Sequence, residues 1–290
     1  MTAEVDATDV LPRTGWLNLV TKGWRGCHYC ADSLKHASDR GAIYDESGML
    51  RDQRKRVVAC ERISALVNSS PPLLLGPGYD IYEFGVLTGG GLRAFVHGLQ
   101  KKNLKFGHLY GFDSFRGLPE SDVAQHERSE LRDPNWQQGG MNAAETLALR
   151  MGDDAFNYTL LRQHIITRVG YPNTTLVRGF YNESLPRLNR RRALRARMQP
   201  AMLVDLDCDL YESTIQAMEW LLTSRLLVVG TVVYFDDWRR AGEGMKKAYA
   251  LLTRQYGLQW KVLGTRNGRD DYLQQLVSCS KCGGQARSGS

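Results

Sequence analysis

The sequence has few cysteines and no long apolar run, and each shortage excludes a class of protein. Its 290 residues include six cysteines, too few for the dense disulfide frameworks of small secreted domains, so we expect a cytoplasmic, reducing setting. The longest strongly apolar stretch, residues 226–235, is interrupted by Gly230 and Thr231 and is about half as long as a membrane span. The first residues, MTAEVDATDV, carry three acids where a secretory signal would be basic and then apolar. We therefore expect neither a membrane span nor a signal peptide.

The net positive charge is also concentrated in one segment. The net charge is +7, from 38 Lys and Arg against 31 Asp and Glu, but residues 187–197 alone, RLNRRRALRAR, hold six arginines and no acid. On one helix, Arg187, Arg190, Arg191 and Arg195 would share a face able to bind phosphate, whereas an exposed linker is the simpler interpretation. Because no basic stripe with interleaved aromatic residues occurs elsewhere, nucleic acid is not the expected partner.

The remaining composition, 42% hydrophobic and 24% charged, is that of a folded globular chain. Residues 1–50 show little periodicity and, with an amphipathic helix over residues 51–68, predict an N-terminal extension of residues 1–70. Apolar runs then alternate with helical patterns through a domain of residues 71–278, interrupted by an insertion at residues 121–170. The predicted strands are residues 79–86, 107–113, 175–178, 201–207, 226–235, 258–264 and 272–277, and the predicted helices are residues 90–101, 213–223 and 242–255.

The order of these elements predicts the fold. Strands separated by helices pair in parallel through right-handed crossovers. The last two runs leave no room for a helix, and the turn sequence Arg266-Asn267-Gly268 between them predicts an antiparallel hairpin. The fold class is therefore α/β, with a Rossmann-like, doubly wound sheet of seven strands that is mostly parallel and ends in an antiparallel C-terminal hairpin.

Two CxxC pairs lie towards the two ends of the chain. Cys27 and Cys30 form the first, and Cys279 and Cys282 form the second, in a C-terminal tail of residues 279–290. Two thiolates at this spacing can reach one tetrahedral metal ion, so the four cysteines together predict a structural Zn²⁺ site. Reduced surface thiols and a redox pair are the alternatives.

Two features predict a nucleoside site beyond the first two strands. The first strand leads into EFGVLTGGG (residues 83–91), whose glycines let the backbone approach a ligand closely. The spacing differs from the GxGxxG of NAD and FAD sites. The second strand ends on Asp113, where a carboxylate can accept both hydroxyls of a ribose.

The fourth and fifth predicted strands end on further carboxylates. Asp207 follows the fourth strand, and Asp236 and Asp237 follow the fifth. Neighbouring carboxylates repel unless a positive charge lies between them, and oxygen ligands of this kind suit Mg²⁺. Asp209 is more simply explained as the start of the next helix.

Five sequence blocks occur in a fixed order: YEFGVLTGGGLR (82–93), GFDSFRGLPE (111–120), VRGFYNESLP (177–186), VDLDCDLYEST (204–214) and GTVVYFDDW (230–238). Together they resemble the macrocin O-methyltransferase family, which consists of class I S-adenosylmethionine-dependent enzymes that methylate sugar hydroxyls. The resemblance covers residues 75–255. It implies S-adenosylmethionine as the methyl donor and a homo-oligomer, because the family often assembles through N-terminal segments.

The resemblance also assigns roles to residues of this chain. The methyl donor would lie against Glu83, Gly85, Gly89, Gly90, Asp113, Ser114, Phe115, Gly179 and Phe180. Asp207 would bind Mg²⁺ together with Asp236 and Asp237, and Cys208 stands where the family has a glycine.

The implied reaction is methyl transfer to a hydroxyl of a small molecule such as a sugar or natural product. We predict that a diol binds the Mg²⁺ ion, which lowers the pKa of the hydroxyl, and that Asp207 takes its proton. His126 and His164 are further candidates for that role without motif support. The alternatives are a nucleic-acid methyltransferase that uses the Arg-rich segment and a non-catalytic module that binds the donor. The second is disfavoured because all three acids are present.

Overall fold

The computed structural model describes residues 54–119, 138–143, 158–208, 210–236, 238, 244–266 and 269–280. All of them fall within one compact unit that starts at residue 52. Predictions that rest on Cys27, Cys30, His126, Asp237 or Cys282 lie outside these residues.

Seven strands and seven helices can be followed through the described residues. The helices are α1 Arg54–Ser64, α2 Gly90–Lys101, α3 Tyr158–Val169, α4 Tyr181–Arg190, α5 Arg192–Arg195, α6 Tyr211–Thr223 and α7 Gly244–Tyr256. The strands are β1 Asp80–Phe84, β2 Leu109–Asp113, β3 Thr174–Arg178, β4 Ala201–Leu206, β5 Val232–Phe235, β6 Leu258–Arg266 and β7 Arg269–Cys279.

The strands form a single sheet in the order β3-β2-β1-β4-β5-β7-β6. Pairing is parallel from β3 to β5 and antiparallel where β7 meets β5 and β6. The predicted fold class is confirmed. Strand order reverses between β1 and β4, and ligands of open α/β sheets bind in the crevice at such a reversal.

Burial explains why the central strands are so apolar. Every residue of β1 and of β4 is buried, because helices cover both faces of a parallel sheet. On one face, aromatic rings stack between β1 and β2: Tyr82 and Phe84 of β1 against Tyr110 and Phe112 of β2. The ring centroids of Phe84 and Phe112 are 4.6 Å apart. This rigid centre fixes the loops that leave the carboxyl ends of β1, β2 and β4.

Helix α1 belongs to the core of the domain, although the sequence suggested an N-terminal extension. Arg56, Ala59, Cys60 and Ile63 are buried on one face of the helix. Cys60 packs against α2 at Gly98, where a Cβ atom would lie only 2.6 Å from the Cys60 sulfur. The helix is therefore placed close to the carboxyl end of the sheet by its contact with α2.

Two predicted elements differ from the structure. The strand expected over residues 226–235 begins only at Val232, because the chain turns at Gly230, whose φ of +98° is unfavourable for other residues. The arginine-rich segment is helical but not one helix, since the backbone breaks at Arg191 (φ −81°, ψ 72°) between α4 and α5. The four arginines predicted to share one helical face are therefore divided between two helices.

Cys279, at the end of β7, is disulfide-bonded, whereas Cys60 and Cys208 are buried thiols outside any disulfide. Of the four cysteines of the predicted zinc site, Cys279 alone lies within the described residues, and its sulfur is part of the disulfide. The described residues therefore do not support the zinc site, and the cytoplasmic setting stays a prediction. Within the part of the chain that the structure describes, no helix has the length and apolarity to cross a membrane.

Candidate active site

A cavity of about 670 Å³ opens at the carboxyl ends of β1, β2 and β4. Such a volume suits a small molecule or cofactor. Its walls come from the loops that follow these strands, from the start of α4 and from the first turns of α6. The residues used below are Gly85, Leu87, Asp113, Ser114, Phe180, Asp207 and Cys208, together with Tyr181, Glu212, Ser213 and Gln216.

Gly85 forms the floor of the cavity where β1 passes β4. Its φ is +96°, and a Cβ atom built on it would lie 1.8 Å from the carbonyl oxygen of Asp207. The amide of Asp207 donates to the carbonyl of Phe84 at 2.9 Å, so the two loops are in direct backbone contact. A side chain at residue 85 would push the Asp207 loop away.

Asp113 closes the end of β2 and is held by the backbone. Its two carboxylate oxygens accept hydrogen bonds from the amides of Leu87 (2.8 Å) and Phe115 (2.6 Å). Burial raises the pKa of the Asp113 carboxyl, and these amides partly offset the rise. The Val86 amide and the Ser114 hydroxyl also act as donors that lower this pKa. Because a carboxylate oxygen can accept more than one hydrogen bond and Asp113 lines the cavity, it can still accept from a ribose hydroxyl. Asp113 fits the predicted role, and the Leu87 amide links it to the glycine loop.

Several residues predicted to contact the methyl donor lie next to the cavity instead of lining it. Phe115 is fully buried and packs against Tyr158 with ring centroids 5.4 Å apart. Gly89, with φ +79°, is the N-cap of α2, and Gly90 begins that helix. Gly179 donates its amide to the carbonyl of Asp113 at 2.9 Å. These residues shape the loops, while Gly85, Asp113, Ser114 and Phe180 lie on the cavity wall.

Asp207 and Asp236 converge on the side chain of Arg56. Arg56 Nη2 lies 2.6 Å from Asp207 Oδ2 and 3.4 Å from Asp236 Oδ2, and Arg56 Nε lies 2.7 Å from Asp205 Oδ2. The Asp207 side chain is 28% exposed and that of Asp236 12%, whereas Asp205 is fully buried. The positive charge that the sequence required between the acids is thus supplied, within the described residues, by an arginine.

Arg56 is charged despite its burial. Burial alone would lower the pKa of its guanidinium, but Asp205, Asp236 and Asp207 outweigh this effect and raise the pKa above its ordinary value. The guanidinium carbon also lies 5.3 Å from the ring centroid of Tyr234 and 5.9 Å from that of Phe95, where cation–π attraction adds to the ion pairs.

Glu83 lies beside this cluster, away from the cavity. It is 1% exposed, and neither carboxyl oxygen has a hydrogen-bond partner among the described residues. Burial and the charge of Asp205 raise the pKa of Glu83 well above its usual range, although Arg56 opposes the rise. Glu83 is not among the residues that line the cavity, and its contact with the methionine part of the donor stays a prediction.

The acids meet part of the requirement for a metal site. Among the residues that the structure describes, no group of three His, Cys, Asp or Glu side chains is arranged to hold a metal ion, but Asp237 lies outside that set. Asp207 and Asp236 both reach Arg56 Nη2, so their carboxylates come close enough to share one cation. The chemistry of this pair fits Mg²⁺.

Sequence reasoning missed Arg56, and one signal could have found it. Arg56, Ala59, Cys60 and Ile63 have the spacing of one helical face, and the last three are apolar or weakly polar. An arginine on the apolar face of an amphipathic helix must be paired when that face is buried. Tyr181, Glu212, Ser213 and Gln216 also line the cavity without a sequence signal that distinguishes them from ordinary helix residues.

Comparisons with known proteins support the family and the fold. The sequence model of the macrocin-O-methyltransferase (TylF) family matches residues 76–260, more than half of the chain. Two solved structures are similar with TM-scores of 0.53: the calicheamicin methyltransferase CalS11, 17% identical over 84% of this chain and 91% of that one, and the O-methyltransferase NovP, 19% identical over 77% and 80%.

At these identities the two structures support the fold alone, and no curated protein matches the sequence. The family match carries the assignment, and it spans the Gly85 loop, Asp113, Asp207 and Asp236. The chain belongs to the macrocin-O-methyltransferase family and is an S-adenosylmethionine-dependent methyltransferase.

Proposed function

We propose that this enzyme transfers the methyl group to a hydroxyl of a small molecule, such as a sugar or another natural product, with the help of Mg²⁺. The observation that carries the proposal is that Asp207 lies in the same cavity as Asp113 and shares a cation partner with Asp236. A nucleoside-binding carboxylate and a proton-accepting carboxylate thus meet in one cavity.

The donor side of the cavity is built from the first two loops. S-adenosylmethionine, when bound, supplies a methyl group on a positively charged sulfur. Asp113 accepts the ribose hydroxyls through the oxygens already oriented by the Leu87 and Phe115 amides. Gly85 keeps the floor of the cavity open because it has no side chain.

Asp207 is the proposed proton acceptor. Its ion pair with Arg56 keeps it as a carboxylate, and its partial exposure leaves it accessible to an acceptor hydroxyl. As the hydroxyl oxygen bonds to the methyl carbon and the carbon–sulfur bond breaks, Asp207 takes the hydroxyl proton. General base catalysis of this kind contributes typically about 10²- to 10⁴-fold to the rate.

Mg²⁺ would be held by Asp207 and Asp236, with Asp237 as the third predicted ligand. When bound, it lowers the pKa of a coordinated hydroxyl and orients it.

A small acceptor suits the site better than nucleic acid. The cavity volume of about 670 Å³ lies in the range of small-molecule sites. The arginine-rich segment is divided between α4 and α5, and two of its members are engaged, Arg187 with Glu183 and Arg195 with the carbonyl of Ser224. Both observations support a small-molecule acceptor.

The proposal is tested by a methyl-transfer screen. Purified protein is incubated with methyl-labelled S-adenosylmethionine and pools of sugars, catechols and RNA, each with Mg²⁺ and with EDTA. We expect label in a hydroxyl-bearing small molecule only with Mg²⁺, and a loss of about 100-fold or more in Asp207→Asn. Transfer to RNA alone, or undiminished transfer in EDTA, would show that the proposal is wrong.

A further inference from the structure

Arg56 is where helix α1 reaches the carboxylates of the proposed site. The guanidinium spans three acids from two neighbouring strands: Asp205 in β4, Asp207 just after β4, and Asp236 just after β5. The loops that carry Asp207 and Asp236 both leave the sheet here. One rigid planar group therefore sets the separation of two side chains on different loops.

Stability alone does not explain this arrangement. Arg56 is 3% exposed and Asp205 0%, and replacing a buried ion pair by apolar residues is often neutral or stabilising. A domain that needed only packing at this place could use a methionine and a leucine. The Asp207 side chain is 28% exposed and lines the cavity, so the cluster has one side in the core and one side at the cavity.

The charge of the cluster leaves room for one divalent cation. The three aspartates that contact Arg56, Asp205, Asp207 and Asp236, carry three negative charges, and Arg56 offsets one of them. Two negative charges remain. The arginine thus does not replace a divalent cation: it pairs with one oxygen of each acid from the core side.

We propose that Arg56 is a positioning residue of the methyl-transfer reaction, which holds the Asp207 and Asp236 carboxylates in register for the acceptor hydroxyl and a divalent cation. This inference rests on the proposed function of the same site. The inference gives α1, which lies outside the five sequence blocks that resemble the family, a role in positioning the reacting groups.

The test uses a double variant that preserves charge. Arg56→Met removes one positive charge and Asp205→Leu removes one negative charge, so Arg56→Met/Asp205→Leu still has the two negative charges of Asp207 and Asp236. A change in cation binding in this variant then reports geometry instead of net charge. Arg62→Met, in the last turn of the same helix, is the matched control, and Arg56→Lys keeps the charge without the planar fork.

Three quantities are measured on each protein: the free energy of unfolding in urea, Mn²⁺ binding by electron paramagnetic resonance without donor or acceptor, and kcat with the donor dissociation constant. We expect the double variant to fold with near-native stability and to bind the donor normally. We also expect its Mn²⁺ dissociation constant to rise about tenfold or more and its kcat to fall about 100-fold. Arg56→Lys should be intermediate, and Arg62→Met should match the native protein.

A purely structural role predicts the opposite result. If Arg56 only neutralises the buried Asp205, the single variant Arg56→Met is unstable and the double variant recovers stability, Mn²⁺ binding and kcat together. That outcome would overturn the inference. Failure of the proposed function is seen separately, on the native protein, as no Mn²⁺ binding or no transfer to any hydroxyl.

Discussion

Residue 85 shows how one missing side chain sets the shape of the site. The backbone of Gly85 has φ +96° and passes so close to β4 that a Cβ atom would lie 1.8 Å from the carbonyl oxygen of Asp207. Gly76 has nearly the same φ, +99°, but has nothing within 4 Å of a Cβ atom. Substitutions at these two glycines can therefore distinguish the free-energy cost of an unfavourable φ from the cost of a steric collision.

We predict that Gly85→Ala lowers the free energy of unfolding by more than Gly76→Ala. Both variants force alanine into a left-handed conformation, at about 1–2 kcal/mol, and Gly85→Ala must in addition displace the loop that carries Asp207. Urea unfolding and calorimetric titration with S-adenosylhomocysteine measure the two effects. Equal stability losses, or undiminished ligand affinity in Gly85→Ala, would contradict the reading of Gly85 as the cavity floor.

Arg56 shows which part of the charge arrangement at the site could be predicted from the sequence and which part could not. The adjacent acids at the ends of the fourth and fifth strands correctly required a positive charge between them. The sequence suggested a metal ion, which stays a proposal, but it did not show the guanidinium that reaches these acids from a helix about 150 residues earlier. A contact over that separation depends on how α1 packs, which no local pattern specifies.

At the scale of elements, the packing of α1 against α2 decides where Arg56 lies. The contact is closest at Gly98, where a Cβ atom would be 2.6 Å from Cys60 Sγ and 3.2 Å from the Val57 Cα atom. Gly98 is a poor residue for a helix interior, since alanine is favoured there by about 1 kcal/mol. The glycine is explained by the close approach of the two helices.

We predict that Gly98→Ala destabilises the protein by about 1–3 kcal/mol despite its better helix propensity, because the new methyl group meets Cys60. Cys60→Ala alone leaves a small void, and Gly98→Ala/Cys60→Ala should recover part of the loss because the sulfur is gone. The free energies of unfolding of the four proteins form a double-mutant cycle. Strict additivity of the two single changes would show that the helices are not in contact at these positions.

Elements with strong local signals were predictable, and those with tertiary causes were not. The α2 helix has the predicted bounds, residues 90–101, because its glycine-rich start and amphipathic pattern are local. The β5 strand is shorter than predicted because the chain turns at Gly230, while Leu226 and Leu227 before the turn are buried in the hydrophobic core without being part of a strand. Apolar residues indicate burial, but not the kind of structure that achieves it.

At the scale of the whole molecule, similar buried aspartates lie at the two ends of the parallel strands, and only one of them lies beside the cavity. Asp113 at the carboxyl edge accepts two backbone amides beside the cavity. At the amino edge, Asp80 likewise accepts the amides of His108 and Gln199, each at 2.7 Å. Burial raises the pKa of both carboxyls. The two residues are therefore matched in environment and differ in position.

We predict that Asp113→Asn and Asp80→Asn each lower the free energy of unfolding by about 1–3 kcal/mol, since an amide can accept only one of the two backbone hydrogen bonds. Only Asp113→Asn should weaken S-adenosylmethionine binding, by about tenfold or more, because it also loses a charged acceptor for the ribose. Unfolding in urea and calorimetric titration measure the two properties. Comparable affinity losses in both variants would mean that the effect is transmitted through stability and not through contact.

The sequence by itself determined the fold class, because the periodicity of strands and helices is a local feature, and its five blocks carried the resemblance that implies the donor. The roles of the strand-end acids stay predictions. Only the tertiary structure decided that α1 belongs to the core, that Arg56 is the cation between Asp205, Asp207 and Asp236, and that the arginine-rich segment is divided between two helices. The physical reason is that these outcomes depend on packing between segments far apart in the chain. Charge balance requires a partner for each buried acid, and packing decides which residue provides it.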